Sequence, residues 1–460
     1  MSAPATKRPR PTRRTPTELS FRLDDGVLDR SAAAEPGWLT DDRRAAFERS
    51  TALPIESNRL YTTYVDLRMA ALEAVRPYDA PATDAGDPAA GLQAGTAGLA
   101  AFREDAIQAL ALDPTAIASG VTLESIGAFV ARDPEVARRL LADPASLPED
   151  DRIAQMTRAG WNQGAVLRVP AGVKVEHPIV IRWAVGAPDR ALLTRTIIEL
   201  GDGAEASIVE ELVPSGDAVA SRQSLFTGTA EVTLGAGAKL AMASLQELGP
   251  DVVAFQHRGA RIGEGAVLHW ALAQLGGRLI RSRIDNRLVG DRSTVDQVEI
   301  VFGGEDQLFD LTSYTTHIGR DTTGNLLSKG ALLDRARAYM KGLIVIDKSA
   351  VGTDSFLGEF GMNLSKAARS VAIPSLEIDQ PDCRRAAHSS SVGPIDETQL
   401  FYLESRGIPP DEARKFIVLG FLEPVVARVP LGEAQDRLRE LLEAKWAAGT
   451  GAGGGSKAAA

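Results

Sequence analysis

A mainly β solenoid between two helical regions is the fold class this sequence predicts, and three observations carry it. From about residue 164 to 378 the chain runs in short apolar strands broken by glycine turns, with no intervening helical period. Three turns share one form, Leu/Ile-Gly-x-Gly-Ala: Gly201-Asp202-Gly203-Ala204, Gly235-Ala236-Gly237-Ala238 and Gly263-Glu264-Gly265-Ala266. Gly290, after Leu288-Val289, gives a looser version, and the turns recur at roughly thirty residues, a spacing typical of stacked repeats. Strands this frequent exclude a doubly wound α/β fold, and the recurrent turn favours a solenoid over a sandwich. The clearest strand places Ile280, Ser282, Ile284, Asn286 and Leu288 on one face, with Arg281, Arg283, Asp285 and Arg287 on the other.

Residues 1–150 read as a tail followed by a helical domain. The run KRPRPTRR at positions 7–14 has no apolar side chain with which to pack and reads as disordered. Thr40, followed by Asp41 and Asp42, reads as the N-cap of a helix that stops near Pro54. Good helix formers predict a second helix over residues 65–75. Residues 77–98, rich in Ala, Gly, Pro and Asp, read as a linker. Helical patterning returns over 104–112 and 123–141, with Pro134 restarting the second piece. The β region occupies 151–395, and 396–447 reads as a C-terminal helical domain. Asp396-Glu397 opens its first helix, closed by Gly407, and Pro409-Pro410-Asp411 opens the next. Residues 448–460 read as a disordered tail. The apolar run around Phe416, Ile417, Leu419, Phe421 and Leu422 either packs on the β region or faces a partner.

Composition narrows the function. A net charge of −10 over 460 residues argues against a general nucleic-acid binder. A single cysteine, Cys383, excludes an internal disulfide framework and a self-contained thiolate metal site, and it suits a cytoplasmic protein. No apolar run is long enough to span a membrane, and no signal-peptide pattern opens the chain. No phosphate-binding loop or nucleophile elbow is present. Four of the five histidines, His177, His257, His269 and His317, are scattered without ligand spacing and read as structural, with His317 the first exception to consider. Lys341, with Arg335 and Arg337, reads as a solvated outer face before it reads as an anion patch. The junction 373–407 holds both Cys383 and His388. Small residues surround His388 and permit close approach of a ligand or another chain, but an odd separation sets Cys383 on the opposite face.

Several blocks carry a resemblance: EPGWLTDDRRAAFERSTALP, GAVLRVPAGVKVEHPIVI, THIGRDTTGNLLSKGALL with AYMKGLIVI, and PSLEI followed by AHSSSVGPIDETQLFYLESRGI. Together these resemble the SufB/SufD family of iron–sulfur cluster assembly proteins, and the SufD branch more closely. The resemblance implies a right-handed parallel β-helix between helical regions, acting as a non-enzymatic scaffold. It implies pairing with a SufB-like paralogue through the β-helix end, and leaves a homodimer open where that paralogue is absent. It implies a C-terminal dock for SufC, an ABC-type ATPase, with Phe401, Tyr402, Phe416, Leu419 and Phe421 as candidate contacts. It implies a transient iron–sulfur cluster shared with the paralogue, His388 as candidate ligand, and room for a flavin in the complex. Where SufD proteins often read Cys-Ser-His-Gly, this chain has Ala386-Ala387-His388-Ser389, so the nearby family cysteine is missing. The rival reading, a polysaccharide-active β-helix enzyme, needs clustered carboxylates on one sheet face, whereas the acids read as single residues at turns.

Overall fold

The computed structural model describes residues 18–32, 35–78, 92 and 94–451. The basic run at 7–14 and the last nine residues therefore lie outside the described part, as does most of the expected linker.

Two ten-stranded sheets face each other. From Gln163–Val169 onward, successive strands alternate between them, and from Arg190–Leu200 each pairs in parallel with the strand two before it. That alternation is a parallel β-solenoid, and it ends with Arg369–Ile378 in the first sheet and Arg385–Pro394 in the second. The inner faces form one continuous apolar core along the axis, from Ile181 and Trp183 to Ala338 and Met340. Ile280, Ile284 and Leu288 lie in it, and Ser282 and Asn286 are buried beside them, as the alternation predicts.

The recurrent turn has two separate physical causes. Its second glycine holds a left-handed backbone, with φ of +66° at Gly203, +67° at Gly237 and +61° at Gly265. In that conformation each amide donates across the corner to the next coil: Gly203 to the Ala236 carbonyl at 2.7 Å, Gly237 to Glu264 at 2.7 Å and Gly265 to Asp291 at 2.8 Å. Arg292 takes the same position in the looser turn at φ +58° and donates to Arg320 at 2.8 Å. The first glycine is needed for clearance. A Cβ at Gly263 would stand 2.6 Å from the Leu234 carbonyl oxygen, and one at Gly290 would stand 2.0 Å from the Glu264 nitrogen.

The outer faces are covered from opposite ends of the chain. The helices α1 (Asp25–Ala32), α2 (Gly37–Ala52), α3 (Pro114–Ala118), α4 (Ile126–Arg132), α5 (Pro134–Leu141) and α6 (Arg152–Gly160) precede the solenoid. Helix α2 starts at Gly37 rather than after Thr40, whose buried hydroxyl instead reaches Glu35 at 3.4 Å. Residues 65–75 are not a helix. They run as a strap with two tight turns, burying Val65, Leu67, Ala70, Leu72 and Val75 against Leu225, Val253, Phe255 and Leu308 of the first sheet. Residues 104–112 are not helical either: Gly98–Arg103 and Ala106–Leu112 form an antiparallel hairpin that closes the N-terminal end of the second sheet. In both places tertiary burial outweighs a helix propensity of a few tenths of a kcal/mol per residue. On the second sheet, α8 (Pro410–Val426) and α9 (Gly432–Gly451), which follow α7 (Glu397–Ser405), lay Val418, Leu422, Val425, Leu438 and Trp446 on Leu245, Val298, Ile300 and Phe302. Helix α9 thus continues past residue 448 into the expected tail.

Gly237→Ala is expected to cost about 1 kcal/mol, through backbone strain alone, since its Cβ would meet no atom. Gly263→Ala carries no such strain but drives its Cβ into backbone, and is expected to lower the denaturation midpoint further. Equal midpoints for the two variants would refute the two-cause account of the turn.

Candidate functional site

The C-terminal end of the solenoid is open. The strand Arg385–Pro394 pairs on one side only, with Asp354–Asn363, and Arg369–Ile378 pairs only with Arg337–Ile346. Each therefore leaves a row of backbone donors and acceptors on its free side. At the other end, the hairpin and the antiparallel strand Thr122–Ser125 terminate the two sheets. The edge strand Arg369–Ile378 carries Pro374 and two charged residues, Arg369 and Glu377, which discourage pairing. The edge from Ala386 to Gly393 carries no charge and no proline, and most of its side chains are small.

His388 lies at the centre of that edge. In the parallel register it stands opposite Leu357, while Ala386 stands opposite Ser355 and Ser390 opposite Glu359. Leu357 and Glu359 are both buried, so His388 belongs to the inner-face row, exposed because no further coil covers it. It has no hydrogen-bond or ion-pair partner among the described residues. Cys383, a free and half-buried thiol, packs instead with Leu376 and Ala386 against Ile344, Ile346 and Leu357. No group of three or more His, Cys, Asp or Glu side chains able to hold a metal ion exists among the described residues.

The other sequence candidates take structural positions. His317 is fully buried between Thr322 at 2.8 Å and Ser355 at 3.0 Å, and burial pushes its imidazole down to about 4, so it is neutral. Lys341 is not on a solvated face. It is fully buried, 2.5 Å from Asp310 and over the Tyr61 ring, under the N-terminal strap. Arg335 pairs with Asp306 at 2.7 Å and Arg337 with Asp66 at 3.2 Å, which leaves no anion patch there.

The five C-terminal candidates divide. Phe401 is 71 % exposed, Tyr402 57 % and Phe416 56 %, and α7 has no buried residue at all. Leu419 and Phe421 are half-buried against the core beneath α8, with the Phe421 carbonyl accepting from Lys329 Nζ at 2.7 Å. Three aromatic rings on two helices thus face solvent together with Leu400 and Leu403, which are only half-covered.

Sequence reasoning missed a set of acids inside the solenoid, having placed acids at turns. Glu210, Glu299 and Glu359 sit mid-strand on inner positions of the second sheet, all buried. Glu210 is neutralised by Arg258 and accepts from Ser244 at 2.6 Å. Burial pushes Glu299 up to about 7, against the pull of Arg258. Burial pushes Glu359 up to about 8, with Glu299 adding to it and the Ile373 amide, which donates to it at 2.8 Å, opposing. Glu359 stands directly behind Ser390 of the open edge. The signal was available, because Leu357, Glu359 and Gly361 follow the alternation of an inward face.

Comparison with known proteins agrees with this architecture. The family model described as SUF system FeS cluster assembly, SufBD core domain, matches residues 183–421. The iron–sulfur cluster assembly protein SufD of Bacillus subtilis is 30% identical over 298 residues, covering 65% of this chain and 67% of its own. A SufBD family protein of Mycobacterium tuberculosis is 29% identical over 303 residues, 64% of this chain and 74% of its own. One from Staphylococcus epidermidis is 25% identical over 322 residues, 70% and 68% respectively.

Glu299 and Glu359 hold their protons in the folded chain above the ordinary glutamate value of 4.5, at which an unfolded chain releases them. The stability these two carboxyls contribute is therefore full below that value and is lost as pH rises towards about 7 and 8, levelling off above. Glu359→Gln is expected to flatten this slope, by on the order of 3 kcal/mol between pH 5 and 8. Urea unfolding of both proteins at the two pH values measures it, and parallel slopes would contradict the assignment.

Proposed function

The chain belongs to the SufBD family of iron–sulfur cluster assembly proteins and is SufD-like, and we propose that it is the scaffold subunit of a cytoplasmic SufB–SufC–SufD assembly. The open last coil carries this reading. A parallel strand edge of ten residues, free of charge and proline from Ala386 to Gly393, favours addition of a strand from another chain. Exposed Ile378 and Val392 add apolar surface at the same end. The SufB-like paralogue is the partner proposed for it, with a second copy of this chain as the occupant when that paralogue is absent.

In this assembly the cluster is cargo, built and passed on. Thiolates are the preferred ligands of such clusters, and this chain has one cysteine, half-buried among apolar side chains. His388, exposed and unpartnered, offers an imidazole nitrogen at the seam, and the partner or the incoming donors supply the remaining ligands. Serine and alanine neighbours leave room for that approach.

For the ATPase, the proposed contacts are Phe401, Tyr402 and Phe416. Aromatic side chains exposed on adjacent helices are the residue types that dominate docking energetics. Leu419 and Phe421 support them from below by holding α8 to the solenoid.

Co-purification of the tagged chain with SufB-like and SufC-like partners tests both contacts at once. His388→Ala is expected to retain both partners and lose most of the reconstituted cluster, read by absorbance and by iron and sulfide content. Phe401→Ser with Phe416→Ser is expected to lose the ATPase alone. Wild-type cluster yield in the first, or undiminished ATPase in the second, removes the corresponding residue from the proposal.

A further inference from the structure

A second site stands well away from the open end. Between residues 143–150, which link α5 to α6, and the outer face of the first sheet lies a cleft of about 530 Å³. That volume is within the range of small-molecule sites, roughly 300–1,000 Å³. Its floor is laid by the strands Ser224–Leu234, Val252–Ile262 and Leu279–Leu288. Gly259 is central to the floor, and a Cβ there would stand 2.9 Å from the Ser146 carbonyl oxygen and 3.3 Å from His257 Cε1. The bare glycine therefore lets the covering segment approach the sheet beside the imidazole.

The lining carries five acids against three arginines, yet two of those arginines have no ion-pair partner among the described residues. Arg261 and Arg287 both line it, and they are direct partners in the register of neighbouring parallel strands. Both are exposed, and neither has a hydrogen-bond or ion-pair partner among the described residues. Like charges placed opposite each other on adjacent strands repel. No ion pair joins either arginine to the five acids of the lining: four of these face other cations, and the Asp143 carboxylate accepts only a backbone amide. Asp285 takes His257 Nε2 at 2.8 Å and Arg283 Nε at 2.8 Å, and Asp150 takes Arg283 at 3.2 Å. Glu231 is bound to buried Arg195 at 2.7 Å, Glu149 lies 3.4 Å from Arg49, and Asp143 accepts the Ala145 amide at 2.8 Å. Deeper in the same cleft, His257 is 4 % exposed and its Nδ1 is buried with no partner.

We propose that this cleft binds a small phosphorylated molecule, its phosphate held between Arg261 and Arg287. Guanidinium groups on two register partners can both donate to the oxygens of a phosphate, and a bound dianion offsets their mutual repulsion.

Titration of the full chain with inorganic pyrophosphate, followed by calorimetry, tests the site. The wild type is expected to bind it, with affinity falling as salt is added. Arg261→Gln with Arg287→Gln is expected to weaken binding by about tenfold or more, as the loss of two charge-assisted hydrogen bonds requires. Arg292→Gln, at a corner arginine already paired with Glu264, is expected to bind as the wild type does. Pyrophosphate should also raise the melting midpoint of the wild type and not that of the double variant, an effect that loss of fold alone would not imitate. No binding by the wild type at millimolar pyrophosphate, or equal binding by the double variant, overturns the proposal.

Discussion

A parallel solenoid satisfies the backbone of each strand only by laying another strand beside it, so every coil hands its unpaired edge to the next. Nothing inside the repeat can stop this. At the N-terminal end, the chain stops it by reversing direction, with the antiparallel hairpin on the second sheet and Thr122–Ser125 on the first. At the C-terminal end no reversal occurs: the chain leaves Arg385–Pro394 and goes directly into α7. The asymmetry between the two ends is what supports the proposed partner surface at one of them.

The rest of the molecule serves the stack between those ends. Corner amides tie coil to coil through residues held at positive φ, and bare glycines give the corners clearance. The N-terminal strap and α6 cover the first sheet, and α8 and α9 cover the second. Buried ion pairs such as Arg195 with Glu231 and Arg281 with Glu56 fasten covering elements and coils to the sheet; breaking one leaves an uncompensated charge, at a cost of several kcal/mol. What these layers leave uncovered is the last coil, the aromatic face of α7 and the arginine pair beside residues 143–150.

The solenoid was legible because its turn repeats for reasons that act on the residue itself, a left-handed backbone and a missing Cβ. The N-terminal region was not, because residues 65–75 and 104–112 carry helix-forming side chains whose apolar members are claimed by a sheet the local sequence does not reveal. The burial of Lys341 was hidden for a related reason: its partner Asp310 lies on the neighbouring strand of the same outer face, and Tyr61 comes from the segment just before the strap. His388 was singled out by its small neighbours and by family resemblance. The geometry added its register, its inward row and its exposure, none of which spacing alone supplied. Glu359 shows the opposite case, a residue whose position followed from alternation but whose charge state depended on depth of burial.

Backbone amide hydrogen exchange across the strand Arg385–Pro394 tests the central claim most directly. In the isolated chain below its self-association concentration, the amides on the free side of this edge should exchange rapidly. In complex with the SufB-like paralogue they should become protected together, while the corresponding amides of Leu308–His317 in the middle of the stack remain as they were. A stable complex in which residues 385–394 exchange as fast as in the free chain would contradict the account.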